Sequence, residues 1–236
     1  MADSREMVFR TLAGRKLMGE ALESNAATLV RCVEKLLPPV RKCHRIFVVA
    51  DCEAALGRII PASGNGKAVA LASVSPREGG SDAWQQMLAA DITRGEAVVA
   101  LDPEGGSGFA AKAVRDARRN GMVTVAVSCS PSSPTIHCAE YPVALTFDPQ
   151  SDMDEAMRVE ACCMAVDVLL CSIVSSLGET AAGTSGKPQE DQMLQRACEA
   201  LMQQTGIEDA RYAASLILQY GSVRRAVKEY NKKNNG

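Results

Sequence analysis

The sequence predicts an α/β protein: a doubly wound, five-stranded parallel sheet followed by a small C-terminal three-helix module. Three observations carry this expectation. Five short runs are continuously apolar rather than alternating, the pattern of strands covered on both faces. Helical patterns separate those runs, so successive strands return parallel to one another. The 236 residues are 47% hydrophobic and 23% charged, enough for one large core and an appendage.

A helical pattern over 21–42 leads to the first apolar run at 46–50 (Ile-Phe-Val-Val-Ala). A second run follows at 68–72, then a helix over 81–90, with Ser81 at its head and an aspartate behind it. The third run, 97–101, precedes a helix over 109–120 that Gly121 closes as a C-cap. The fourth and fifth runs are 123–127 and 142–147. After them, 152–177 reads as a long helix whose apolar positions nearly encircle it, so it should be buried against the sheet or a partner subunit. The composition then turns small, polar and Gly/Pro-bearing. This divides the chain into a main domain over 1–180, a linker over 181–191 and a helical module over 192–236, whose pieces are 192–204, 207–220 and 222–230. About 40 residues make a core too small to be very stable alone, so the module should dock on the main domain or on a neighbour.

Bulk charge narrows the partners. Lys and Arg number 26 against 28 Asp and Glu, a net charge of −2, so no basic field exists to hold a nucleic-acid backbone. The first twenty residues carry charges throughout and show neither a signal peptide nor an anchor. The longest apolar stretch, 161–174, is interrupted by Asp167 and too short to span a bilayer, so the expected location is the cytoplasm, without a membrane partner. Nine cysteines are scattered with no CxxC pair, and only His44 and His137 could join them. Buried reduced thiols are expected, with no metal and no cofactor. His137 sits in a helical Thr-Ile-His-Cys stretch as a packed or partly exposed side chain rather than a catalytic one.

In such a sheet, ligands sit at the carboxyl ends of strands, which directs attention to the loops 51–57, 73–80, 102–108 and 128–134. The stretch VVALDPEGGSGFAAKAVRDARRNGMVTVAVSCSPSSPTIHCAEYPVAL, over 98–145, resembles the second half of a sugar isomerase (SIS) domain. That family has a strand, a Ser-rich loop ending in Ser-Gly-x-Thr, a helix ending in Gly, a strand, an Asn-Pro-x-Ser-Pro-like loop and a last strand. Within it, the chain is most similar to the N-acetylmuramic acid 6-phosphate etherases and glucokinase regulatory proteins. The N-terminal ALESNAATLVRCVEKLLPPVRKCHRIFVVAD and the C-terminal ACEALMQQTGIEDARYAASLILQYGSVRRAVKEY extend the etherase likeness to about two thirds of the chain.

The resemblance implies a sugar-phosphate site, but the loops depart from the pattern. After the first strand, Asp51 and Glu53 stand where a hydroxyl and glycines are expected; after the third, Asp102 and Glu104 replace small hydroxylic residues, with Ser107 in the Thr position. Carboxylates facing a phosphate only accept hydrogen bonds and repel the dianion, at about 1–4 kcal/mol per close pair. The loop acids are therefore expected to suppress phosphate binding, or else to bind a cation or an amino sugar or to be surface acids left after a lost function. Etherases eliminate lactate with two glutamates as acid and base; no residue matches the first here, and Glu78 stands near the second.

The remaining candidates each keep two readings. Gly105, Gly106, Ser107 and Gly108 form an anion cradle or simply a tight turn. Ser128, Ser130, Ser132 and Ser133 present hydroxyls to a sugar or satisfy local backbone groups around Pro131 and Pro134. Glu78 is a general base or a solvated loop glutamate. The resulting expectation is a homodimeric SIS-domain protein that binds a phosphorylated amino sugar or related carbohydrate derivative, regulatory or catalytically impaired. The alternative is an active etherase-type carbon–oxygen lyase.

Overall fold

The computed structural model describes residues 4–42, 44–51, 55–56, 59, 69, 71–76, 82–148, 150–151, 153–182, 189–220 and 222–234. Five strands form one all-parallel sheet: β1 (Ile46–Ala50), β2 (Leu71–Val74), β3 (Ala97–Asp102), β4 (Val123–Ser128) and β5 (Tyr141–Ala144). Their spatial order is β2-β1-β3-β4-β5. The winding direction reverses between β1 and β3, so the crevice at their carboxyl ends is the topological switch point.

Strands β1 and β3 are buried at every position because helices cover both faces. On one side Ile46, Val48, Val99, Leu101, Val125 and Val127 pack against α1 (Ser4–Ser24), α2 (Ala26–Arg41) and α6 (Glu155–Ala182). On the other, Phe47, Val49, Val98 and Ala100 meet α3 (Ala83–Ala89), α4 (Gly108–Arg119) and α5 (Pro134–Cys138). The alternation of side chains along each strand divides the core into these two layers. Pro142 lies on the edge strand β5, where a missing N–H costs no ladder bond.

Several boundaries differ from the sequence expectation. The helix expected over 21–42 is two helices, and the first begins at Ser4. They meet at Asn25, whose Nδ2 donates to the carbonyls of Ala21 (2.9 Å) and of Ala144 at the end of β5 (3.0 Å). The break thereby anchors the helical layer to the sheet. The head of α3 is Asp82, whose carboxylate accepts from Gln85 N at 2.8 Å; Ser81 lies outside the described residues. The second strand runs Leu71–Val74 in register with β1, residues 68 and 70 of the expected run lying outside the described residues, and the fifth ends at Ala144 because β4 ends opposite it.

Helix α6 is long and apolar enough to cross a membrane by length and composition, beyond the 161–174 stretch that sets it apart in the sequence. Here Cys162, Ala165, Leu169 and Ile173 line the main core, none more than 1% exposed. Beyond it, α7 (Gln189–Thr205), α8 (Ala210–Tyr220) and α9 (Val223–Asn234) form a separate cluster around Leu201, Ala213, Leu216 and Ala226. An ion pair from Arg224 to Asp91, at 3.2 Å, ties that cluster to the main domain.

Candidate active site at the switch point

The carboxyl ends of β3 and β4 bring two loops together, and Asp102 stands between them. Its side chain is 2% exposed, so it does not turn into an open pocket as the family pattern suggests. Oδ1 accepts from the backbone amides of Gly105 (3.0 Å) and Ser107 (3.1 Å). Oδ2 accepts from Ser133 Oγ (2.5 Å) and Thr135 Oγ1 (2.7 Å). A buried carboxylate needs such donors in place of water, and four short bonds supply them. The physical reason for the correction is local: the last residue of a strand, followed by a tight Pro-Glu-Gly-Gly turn, is close enough to its own loop amides to be the turn's internal acceptor.

The serines divide into two groups. Ser107 Oγ accepts from Ala110 N at 3.0 Å and caps α4. Ser128 Oγ donates to the Asp102 carbonyl (2.5 Å) and accepts from Ser130 N (3.0 Å). Ser133 Oγ, besides donating to Asp102, accepts from Thr135 N at 3.1 Å. These three hydroxyls hold the loops. Ser130 and Ser132, 3.1 Å apart through their Oγ atoms, form the part of the cluster that reaches solvent.

Gly105 has φ +81°, a left-handed backbone that L side chains rarely adopt. A Cβ there would also collide with Ser130 Cβ, so the two loops abut at this point. Gly106 and Gly108 are exposed, with open space where a Cβ would go. Their backbone and the start of α4 remain approachable from solvent, at the positive end of a twelve-residue helix.

Of the other loop acids, Glu104 is exposed and pairs with Arg158 Nη1 of α6 at 2.9 Å. Asp51 is exposed at the bend after β1. Glu53 and Glu78 lie outside the described residues. Asp51, Asp102 and Glu104 therefore do not act as one open acidic patch: one is buried, one is ion-paired and one is solvated. His137 is exposed on α5.

Thr135 and Arg158 escaped sequence reading. Thr135 follows Pro134 in a short helix and has no motif to mark it, whereas Arg158 is distant in sequence. A thiol pair also lies beneath the site, Cys129 Sγ being 3.7 Å from Cys162 Sγ. That hydrogen bond, with burial, pushes the Cys162 thiol well above its ordinary range.

No family model matches the chain. It is similar to the N-acetylmuramic acid 6-phosphate etherase of Christiangramia forsetii, 20% identical over 242 aligned residues, covering 92% of this chain and 87% of that protein. The enzyme of the same name from Porphyromonas gingivalis is 23% identical, with 92% and 86% covered. Among solved structures, phosphoheptose isomerase from Neisseria gonorrhoeae superposes with a TM-score of 0.57 at 16% identity, covering 73% of this chain and all of that one. The sugar isomerase domain of an RpiR transcription factor from Sphaerobacter thermophilus gives 0.52 at 17% identity, covering 75% and 93%.

Proposed function

We propose that this chain, a protein of the SIS-type fold, binds a phosphorylated amino sugar or a related carbohydrate derivative at the β3–β4 loops and does not eliminate lactate from it. The carrying observation is the commitment of the cradle's donors. The amides of Gly105 and Ser107 and the hydroxyls of Ser133 and Thr135, which an incoming phosphate would use, already serve Asp102. What is left for a ligand is the approachable backbone at Gly106 and Gly108, the start of α4, and the hydroxyls of Ser130 and Ser132. That set can orient a polar ring or one edge of a phosphate. It offers no acid–base pair for β-elimination, which needs one group to take a proton and another to protonate the leaving oxygen.

The alternative, an etherase-type lyase, draws its support from the likeness to proteins of that name along nearly the whole chain. Glu78, near the second family glutamate, is its candidate for a proton-transferring group, and no residue matches the first. The homodimer expectation has a further support in α1, where Met7, Val8, Phe9 and Leu12 are each more than half exposed.

Two measurements test the proposal together. Thermal shift with N-acetylmuramic acid, N-acetylglucosamine and fructose 6-phosphates should show stabilisation by at least one of them. A coupled assay for released lactate should stay at background with the first. Lactate release would establish the lyase reading; no shift with any of the three would remove the carbohydrate site.

A further inference from the structure

A cavity of about 670 Å³ opens at the opposite pole of the sheet, between the main domain and the C-terminal helices. His44 and Arg45 lead into β1 there, Glu96 leads into β3, and Arg224 and Arg225 come from the first turn of α9. Five cationic side chains, Lys42, Arg45, Arg94, Arg224 and Arg225, line it against two carboxylates, Asp91 and Glu96. This excess sits in a protein whose overall charge is −2, so it is a local concentration rather than a general surface property.

The two carboxylates are already engaged. Glu96 is 3% exposed; one oxygen accepts from Arg45 Nε at 2.5 Å and the other from Thr93 N at 2.7 Å. Arg45 Nη2 then donates to the carbonyls of Ala90 and Asp91 and is fully used. Asp91, held at φ +64°, accepts the ion pair from Arg224 Nη2. Lys42, Arg94 and Arg225 have no ion-pair partner among the described residues, and Arg224 Nη1 is buried without a hydrogen-bond acceptor. The His44 ring packs on Gly95 so closely that a Cβ there would overlap it. A guanidinium nitrogen left buried and unpaired costs free energy unless an acceptor arrives, and the free cations beside it select an anion.

We infer that this cavity is a second ligand site, specific for a small, multiply charged oxyanion of the phosphate monoester or diphosphate class. Arg224, Arg225, Arg94 and Lys42 supply its donors. Guanidinium groups match phosphate oxygens in paired hydrogen bonds, and the volume suits a metabolite rather than a single ion. The lining has no Phe, Tyr or Trp, and its His44 ring packs on Gly95. Because the donors come from both the main domain and α9, an occupant would clamp the C-terminal helices onto the sheet's amino edge, far from the loops at its carboxyl edge.

Calorimetric titration of the full chain with pyrophosphate and with inorganic phosphate, at ionic strength held constant with NaCl, tests this. Saturable binding is expected, weakened about tenfold or more by the charge reversal Arg94→Glu with Arg225→Glu, two exposed positions whose change leaves the fold intact. Arg224→Lys keeps the pair with Asp91 but removes the paired donors, and should also weaken binding about tenfold. Ser130→Ala with Ser132→Ala, at the other pole, should leave it unchanged. Absence of binding, or binding indifferent to both arginine variants, overturns the assignment. Loss of binding in the serine double variant overturns it as well, by moving the anion to the β3–β4 loops.

Discussion

Replacing Asp102 by alanine should be among the most damaging single changes outside the apolar core, and the structure lets the size of the effect be worked out. Four donors lose a hydrogen bond at once: two backbone amides and two hydroxyls, around side chains that are 5% exposed or less at Asp102, Ser107, Ser133 and Thr135. The Ser107 amide is fixed by the turn and left without an acceptor, at about 1–3 kcal/mol, whereas the Gly105 amide keeps the Asp102 carbonyl at 3.2 Å and loses about 0.5–1 kcal/mol. The hydroxyls rotate and recover part of their loss, Thr135 Oγ1 having the Ser107 carbonyl at 3.5 Å, so about 0.5–1 kcal/mol each is reasonable. The expected destabilisation is about 4 kcal/mol, a fall in Tm of about 8–16 °C for a chain of this size. Asp102→Asn keeps one oxygen for the two amides and turns an NH2 toward the two hydroxyls, so it should cost only about 1–2 kcal/mol. Urea unfolding followed by the fluorescence of Trp84, the single tryptophan, and by circular dichroism would measure both. A loss below about 1 kcal/mol for alanine, or equal losses for alanine and asparagine, would refute the idea that this carboxylate is the internal acceptor of the loop.

Four further outcomes are expected. Gly105→Ala should cost about 1–3 kcal/mol in the same unfolding assay, because φ +81° and the abutting Ser130 both oppose a Cβ, while Gly106→Ala, with open space, stays within about 1 kcal/mol. Brief alkylation at about pH 8, read by peptide mass spectrometry, should label exposed Cys171 well ahead of Cys32, whose thiol burial pushes up to about 11, and of Cys162; equal rates would contradict this. His44 is lowered from 6.5 by burial, with Glu96 opposing and Lys42 reinforcing. The unfolded chain therefore takes up its proton first as pH falls, and the stability present above 6.5 declines below it until the folded state also protonates. The difference in stability between about pH 7.5 and about pH 5.5 should shrink in His44→Gln, and an unchanged difference would remove His44 as its source. Light scattering at micromolar concentration should give twice the 25.0 kDa chain mass, and Phe9→Glu with Leu12→Glu should return it to a monomer; a monomeric parent would end the dimer reading.

The sheet was legible because its signal is redundant. Continuous runs such as Ala97–Leu101 can only satisfy their side chains between two helical layers, and the return from one run to the next leaves few topologies. Boundaries were less legible where a single polar side chain decides them. Nothing in local propensity marks Asn25 as the place where a helix breaks, since its decisive bond runs to Ala144, 119 residues away. Likewise β5 stops where its neighbour β4 stops, a fact of register rather than of composition. At the site, Gly105 was readable as a turn glycine and Ser107 as a residue at a helix start, but the roles of Ser128 and Ser133 depend on distant partners.

Asp102 explains why residue-type reasoning about this loop pointed the wrong way. An aspartate in place of a hydroxylic residue reads as a charge set against a phosphate if the side chain is assumed to face the ligand. In the folded chain its own loop and the segment after β4 supply two donors each, so the carboxylate occupies the position in the hydrogen-bond network that an external anion would otherwise take. Repulsion is then the lesser effect. The greater one is competition, because a phosphate reaching the Gly105 and Ser107 amides would have to displace a tethered carboxylate that pays no translational entropy to stay. Removing the charge would leave the turn without its acceptor rather than leave a ready phosphate site. A cradle of this kind is preorganised without ligand, and selectivity shifts to what remains approachable: Gly106, Gly108, Ser130 and Ser132. Those groups are neutral, so recognition at the β3–β4 loops should favour the hydroxyl and amide edges of a sugar over its phosphate.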